Sequence, residues 1–122
     1  MNYFWESSAI YIGAKDIEET MKFYTNILGF ELLEKKDNCV TYKVAGVAKL
    51  HISKDIYASN QNKKDVRMSL ETLYVRSLYT KMTQEGVNLV DNPKYDESGK
   101  MISFSIKDPS NYLIEIRERD MD

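Results

Sequence analysis

The sequence has 122 residues, a length that suits one domain and can bury a real core. Seventeen Lys and Arg stand against nineteen Asp and Glu, a net charge of −2. No basic block stands out, which argues against nucleic acid as a partner. Cys39 is the one cysteine, so no internal disulfide forms and a reducing cytoplasm is the expected location. No apolar run reaches the ~18 residues needed to span a membrane. The opening MNYFWESS lacks the basic and apolar regions of a signal peptide. Its Tyr3, Phe4 and Trp5 are expected to pack onto the body or a partner subunit.

Ser8–Ala14 alternates, with Ile10, Ile12 and Ala14 on one face, and reads as a half-buried strand. Asp16–Phe30 follows as an amphipathic helix. Asp16 is its N-cap, and Glu19 completes a capping-box pattern. Ile17, Met21, Tyr24 and Leu28 form the apolar stripe, with Phe23 and Ile27 beside it. Glu18 and Lys22 are an i,i+4 pair, and Gly29 is the left-handed residue that ends the helix. Strands follow at Phe30–Lys36, Cys39–Val44 and Ala48–Ser53, turning at Asp37-Asn38 and Ala45-Gly46. Lys54–Asp65 lacks periodicity and reads as a linker loop.

The order then repeats. Val66–Thr72 is a strand, and the next helix runs to about Glu85 with Leu78, Tyr79 and Met82 inward and Gly86 as its cap. Val87–Val90 is a strand, Asn92–Lys100 a loop, and Met101–Lys107 a strand. Asp108-Pro109-Ser110-Asn111 turns the chain into a last strand from Tyr112 to Arg117. The repeat implies an α+β fold of two βαβββ modules, residues 1–53 and 66–122, joined through 54–65 in a single domain. Their sheets are expected to curl as one mixed sheet around a cup, with the helices outside. In the first and last strand of each module the face opposite the apolar one carries Tyr11, Lys49, His51, Ser53, Arg67, Ser69, Glu71, Glu115 and Arg117.

The helix phrase ending FYTNILGF and the closing DPSNYLIEI resemble those of the vicinal oxygen chelate superfamily, which includes glyoxalases, bleomycin resistance proteins and extradiol dioxygenases. Asp16, Phe23, Tyr24, Leu28, Gly29 and Phe30 fit its helix pattern, with Thr20 in place of a serine. Asp108, Pro109, Ile114 and Glu115 fit its closing pattern, where Ser110-Asn111 replaces Asp-Gly and Tyr112 replaces Asn. Metal-using members of that family take ligands from four strand positions. The resemblance puts these at Ala9, His51, Arg67 and Glu115, so two of the four carry ligating side chains. A guanidinium at Arg67 would repel a divalent cation beside it.

Two readings follow. In the first, the chain is a small-molecule-binding protein of the glyoxalase and bleomycin-resistance type without a complete metal site or any other cofactor. Tyr11, His51, Arg67 and Glu115 would hold a small anionic or aromatic ligand. An Arg67–Glu115 ion pair is expected, with the guanidinium standing where the metal would be. In the second, the chain is a metal-dependent lyase, thiol transferase or dioxygenase that uses His51 and Glu115 as ligands. Glu115 is the candidate catalytic residue, with Glu71 the other possible base. Whether the chain is an enzyme stays open between them. A homodimer is expected on either reading, because open sheets leave edges to cover. His51 and Glu115 also have plain readings, as a hydrogen-bonded strand residue and as solvated surface.

Overall fold

The computed structural model describes Tyr3 and residues 9–44, 48–59, 67–96 and 100–119. The expected turn at Ala45-Gly46, the latter part of the linker, Val66, Phe4 and Trp5 lie outside these. Tyr3 is exposed and does not pack onto the body. The chain forms two compact units, Met1–Gln61 and Asn62–Asp122.

In the first unit, β1 (Ile10–Gly13) leads into α1 (Ile17–Met21). Asp16 is extended and its side chain accepts the Glu19 backbone N–H at 3.1 Å, as the capping signal requires. Lys22–Ile27 continues the helix at π spacing, and the Leu28 N–H bonds the Phe23 carbonyl five residues back. Gly29, with φ 73°, ends it in the left-handed region. The buried stripe is Ile17, Thr20, Phe23 and Tyr24, with Met21 and Leu28 only half-buried. Thr20 is tolerated inside because its hydroxyl donates to the Asp16 carbonyl at 2.7 Å. The expected Glu18–Lys22 pair gives way to Lys22–Glu19 at 3.9 Å and Lys35–Glu18 at 3.7 Å, both exposed.

Strands β2 (Glu31–Lys35), β3 (Cys39–Val44) and β4 (Ala48–Ser53) complete a sheet of order β1-β4-β3-β2. Only the β1–β4 pair is parallel. Val40, Tyr42, Leu50 and Ile52 alternate inward and are fully buried with Tyr24. Each such side chain contributes about 1.5–3 kcal/mol by leaving water. The Tyr24 ring lies 5.0 Å from Phe23 and 5.8 Å from Tyr42, centroid to centroid. The Tyr42 hydroxyl meets Thr25 Oγ1 at 2.8 Å. Burial raises the Tyr42 phenol pKa, and the Thr25 bond offsets part of the rise.

The expected linker begins instead as a helix, α2 (Lys54–Ser59). Ser53 is buried and its hydroxyl accepts the Asp55 N–H at 3.1 Å, so it caps this helix. The helix crosses β1 at Gly13 so closely that a Cβ there would lie 2.5 Å from the Tyr57 backbone.

The second unit repeats the plan. It contains β5 (Arg67–Glu71), α3 (Val75–Gln84), β6 (Asn88–Leu89), β7 (Lys94–Asp96), β8 (Met101–Lys107) and β9 (Leu113–Arg119). Its sheet has the order β5-β9-β8-β6, again with the first strand parallel to the last. The expected loop at 92–100 contains β7, which pairs with β8. Val75 and Met82 of α3 are buried, with Phe104, Ile106, Ile114 and Ile116 of the sheet. The α3 start lacks a side-chain cap of its own; Glu118 of β9 accepts the Val75 N–H at 3.0 Å. Gly86, at φ 73°, ends the helix. The DPSN turn rests on buried Asp108, whose carboxylate accepts the N–H groups of Ser110 and Tyr112 at 2.8 and 2.9 Å.

Candidate functional site

Each sheet has one face under its helix and one face opposite. On the opposite face of the first unit, strand register lines up Tyr11, His51 and Thr41 across β1, β4 and β3. Thr41 Oγ1 meets His51 Nδ1 at 3.0 Å. The Tyr11 and His51 rings stand 5.1 Å apart, tilted at 58°. Tyr11 remains 58% exposed, so this aromatic pair offers a surface to which a planar group can stack. Thr41 was not a candidate from sequence. Its β3 register opposite His51 is the signal that identifies it.

The corresponding row of the second unit is Ser69, Glu115 and Ser105, across β5, β9 and β8. Ser69 donates to Glu115 Oε1 at 3.0 Å. Two residue pairs further along, in the next row of the same face, lie Glu71 and Arg117. Arg117 reaches Glu71 at 3.1 Å and Glu115 at 3.6 Å, and Arg119 reaches Glu71 at 3.2 Å. These contacts lower the pKa of Glu71, with the Arg117 hydrogen bond the largest cause and the Arg119 bond next. Arg117 Nε is buried with no hydrogen-bond partner.

The expected Arg67–Glu115 pair is not formed. Arg67 stands opposite Leu113 and is exposed, while Ser69 is the residue opposite Glu115. Alternation had put Arg67 and Glu115 on one face correctly, but a one-row offset gives the carboxylate to Arg117. A cavity of about 370 Å³ opens near the start of α3, between Tyr74, Arg76, Tyr95 and Arg119. None of the four residues singled out from sequence lines it.

The four metal positions implied by the resemblance hold a methyl group at Ala9, an imidazole with one nitrogen on Thr41, a guanidinium, and a carboxylate engaged by Ser69 and Arg117. Among the described residues no group of three or more His, Cys, Asp or Glu could hold a metal ion. This donor set does not fit a tightly held divalent cation. No helix is long and apolar enough to cross a membrane among the described residues.

Two βαβββ units, the second with the extra short strand β7, each with a parallel first-to-last strand pair and a polar face opposite its helix, define the class of fold. The chain belongs to the Glyoxalase/Bleomycin resistance protein/Dioxygenase superfamily, whose family model matches residues 8–116. Among solved structures it is similar to TnmS3, an antibiotic binding protein from Streptomyces sp. CB03234. That likeness has 18% identity and a TM-score of 0.79, over 98% of this chain and 100% of that one. It is also similar to a lactoylglutathione lyase from Agrobacterium tumefaciens, at 16% identity and TM-score 0.76, over 96% of each chain. A virulence protein from Salmonella typhimurium is similar at 22% identity and TM-score 0.75, over 98% of this chain and 100% of that one. No curated protein matches the sequence. At these identities the structural likeness establishes the fold, and the fold hosts both binding proteins and enzymes.

Proposed function

We propose that this chain is a metal-independent small-molecule-binding protein that works as a homodimer. The observation that carries the reading is the pattern of loss and retention on the polar faces. Two of four metal positions are Ala9 and Arg67, which cannot ligate, while Tyr11 and His51 form a tilted, half-open aromatic pair. Tyr11 and His51 are the ligand-binding residues of the first unit; Arg67 and Glu115 are those of the second. Tyr11 supplies a stacking surface, and His51, oriented by Thr41, supplies a directional hydrogen bond. The antibiotic-binding character of TnmS3 supports a binding role for a chain of this fold. Exposed Ile10, Leu32 and Leu33 on the edge strands β1 and β2 support pairing with a second copy.

Native mass spectrometry of freshly purified protein tests all of this in one spectrum. The expected species is twice 14.2 kDa plus an organic adduct. Tyr11→Ala is expected to cut adduct occupancy, with affinity falling about tenfold for one lost stacking contact. A monomer carrying one chelator-removable metal, with turnover that disappears on chelation, would replace this reading with the enzyme.

A further inference from the structure

The polar face of the second unit carries more cations than its own carboxylates neutralise. Strand alternation presents Arg67, Lys94, Lys107, Arg117 and Arg119 there, against Glu71, Asp96 and Glu115. Five minus three leaves a local charge of +2 in a chain whose net charge is −2, and Lys94 is paired with Asp91. The pairing is uneven. Arg117 and Arg119 share Glu71, and Arg117 also holds Glu115. Arg67 and Lys107 make no ion pair among the described residues.

Those two cations occupy one row. Arg67 on β5 and Lys107 on β8 both stand opposite Leu113 of β9, one on each side. Neighbouring strands are roughly 4.8 Å apart, so the two backbones are about 10 Å apart. Both side chains are long enough to converge above Leu113. Lys107 is half-buried and Arg67 exposed, and neither has a carboxylate partner among the described residues, so an anion placed between them gains charge-assisted contacts from both. The neighbouring row cannot supply that anion, because Glu115 is engaged by Ser69 and Arg117.

We propose that Arg67 and Lys107 form an anion-binding pair astride Leu113, and that the ligand is a small organic anion. A carboxylate, sulfonate or phosphate group sits between the two cations, and the apolar body of the ligand lies on Leu113. The inference rests on the small-molecule-binding reading and gives its ligand a sign. Arg119, whose donor Nε is already committed to Glu71, is outside the pair.

The test uses the full chain and two fluorescent probes of similar shape: anilinonaphthalene sulfonate, which is anionic, and phenylnaphthylamine, which is uncharged. Wild-type protein is expected to bind the sulfonate saturably. Arg67→Gln and Lys107→Gln are each expected to weaken it about tenfold, the size of one charge-assisted contact. Arg119→Gln is expected to change it by less than about twofold. The uncharged probe is expected to respond to none of the three. Circular dichroism confirms that each variant is folded, and Arg67 is exposed enough that its loss leaves the core alone. If wild-type protein does not bind the sulfonate saturably, or if both variants bind it as wild type does, the pair is wrong. Equal losses for both probes would also overturn it, since the effect would then be one of shape. Saturable binding of the uncharged probe alone would remove the anion pair while leaving the small-molecule-binding reading in place.

Discussion

Gly13 shows how one missing atom can hold two elements together. It lies on β1, where alternation alone would accept any small residue. The α2 backbone passes over it, and a Cβ would meet the Tyr57 Cα and N at 2.5 Å. Backbone cannot swing aside as a side-chain tip does, so β1 or α2 would have to shift. Gly13→Ala is therefore expected to destabilise the protein by about 1–3 kcal/mol, the usual cost of forced overpacking. Urea unfolding measures this directly, and a wild-type midpoint would show that α2 is free to move. Tyr11, two residues earlier on the same strand, would lose its fixed approach to His51 if β1 moved. The same glycine thus links the packing of a short helix to the geometry of the candidate site.

Pairing between β5 and β9 is where sequence reasoning reached furthest and then stopped. Period-two alternation correctly assigned Ser69, Glu71, Glu115 and Arg117 to one face. It could not assign partners, because register decides who stands opposite whom and a one-row offset preserves the face at no cost to the pattern. Alternation therefore makes Arg67 and Glu115 equally good partners by face, while register makes Leu113 the neighbour of Arg67. The helix caps at Asp16, Gly29 and Gly86 were legible because each needs a particular residue type at one position. The π turn at Lys22–Ile27, the short α2 and the three-residue β7 were not, since tertiary packing creates them and no period of their own announces them. The β5–β9 network also makes a titration prediction. The folded Glu71 carboxyl titrates below its ordinary value of 4.5, so its contribution is fully present above that pH and is lost as pH falls through the folded value. Glu71→Gln is expected to unfold at lower urea than wild type at neutral pH, with the two midpoints converging well below pH 4.5. The carboxylate is exposed, so added salt should narrow the neutral-pH gap. A gap that persists unchanged at low pH would mean the network does not depend on the Glu71 charge.

Two copies of one module have kept a topology and diverged in chemistry. The row joining the first and last strands holds Tyr11 and His51 in the first unit and Ser69 and Glu115 in the second. The first pair is aromatic, and the second belongs to a network of carboxylates and guanidinium groups. Of the four metal positions that the family resemblance implies, one in each module, Ala9 and Arg67, carries no ligating side chain. The guanidinium of Arg117 sits against Glu115. Thermal unfolding separates these alternatives for the whole molecule. A divalent ion bound only by the folded state and present at about 100 times its dissociation constant would add ~2.7 kcal/mol. For a domain of this size that raises Tm by on the order of 10 °C. Nickel, zinc, iron or manganese added to chelator-treated protein is expected to leave Tm unchanged, because His51 and Glu115 alone are too few ligands to hold it. A rise of several degrees that vanishes in His51→Ala would mean that the missing donors come from elsewhere, and the metal-dependent enzyme would become the better reading of this chain.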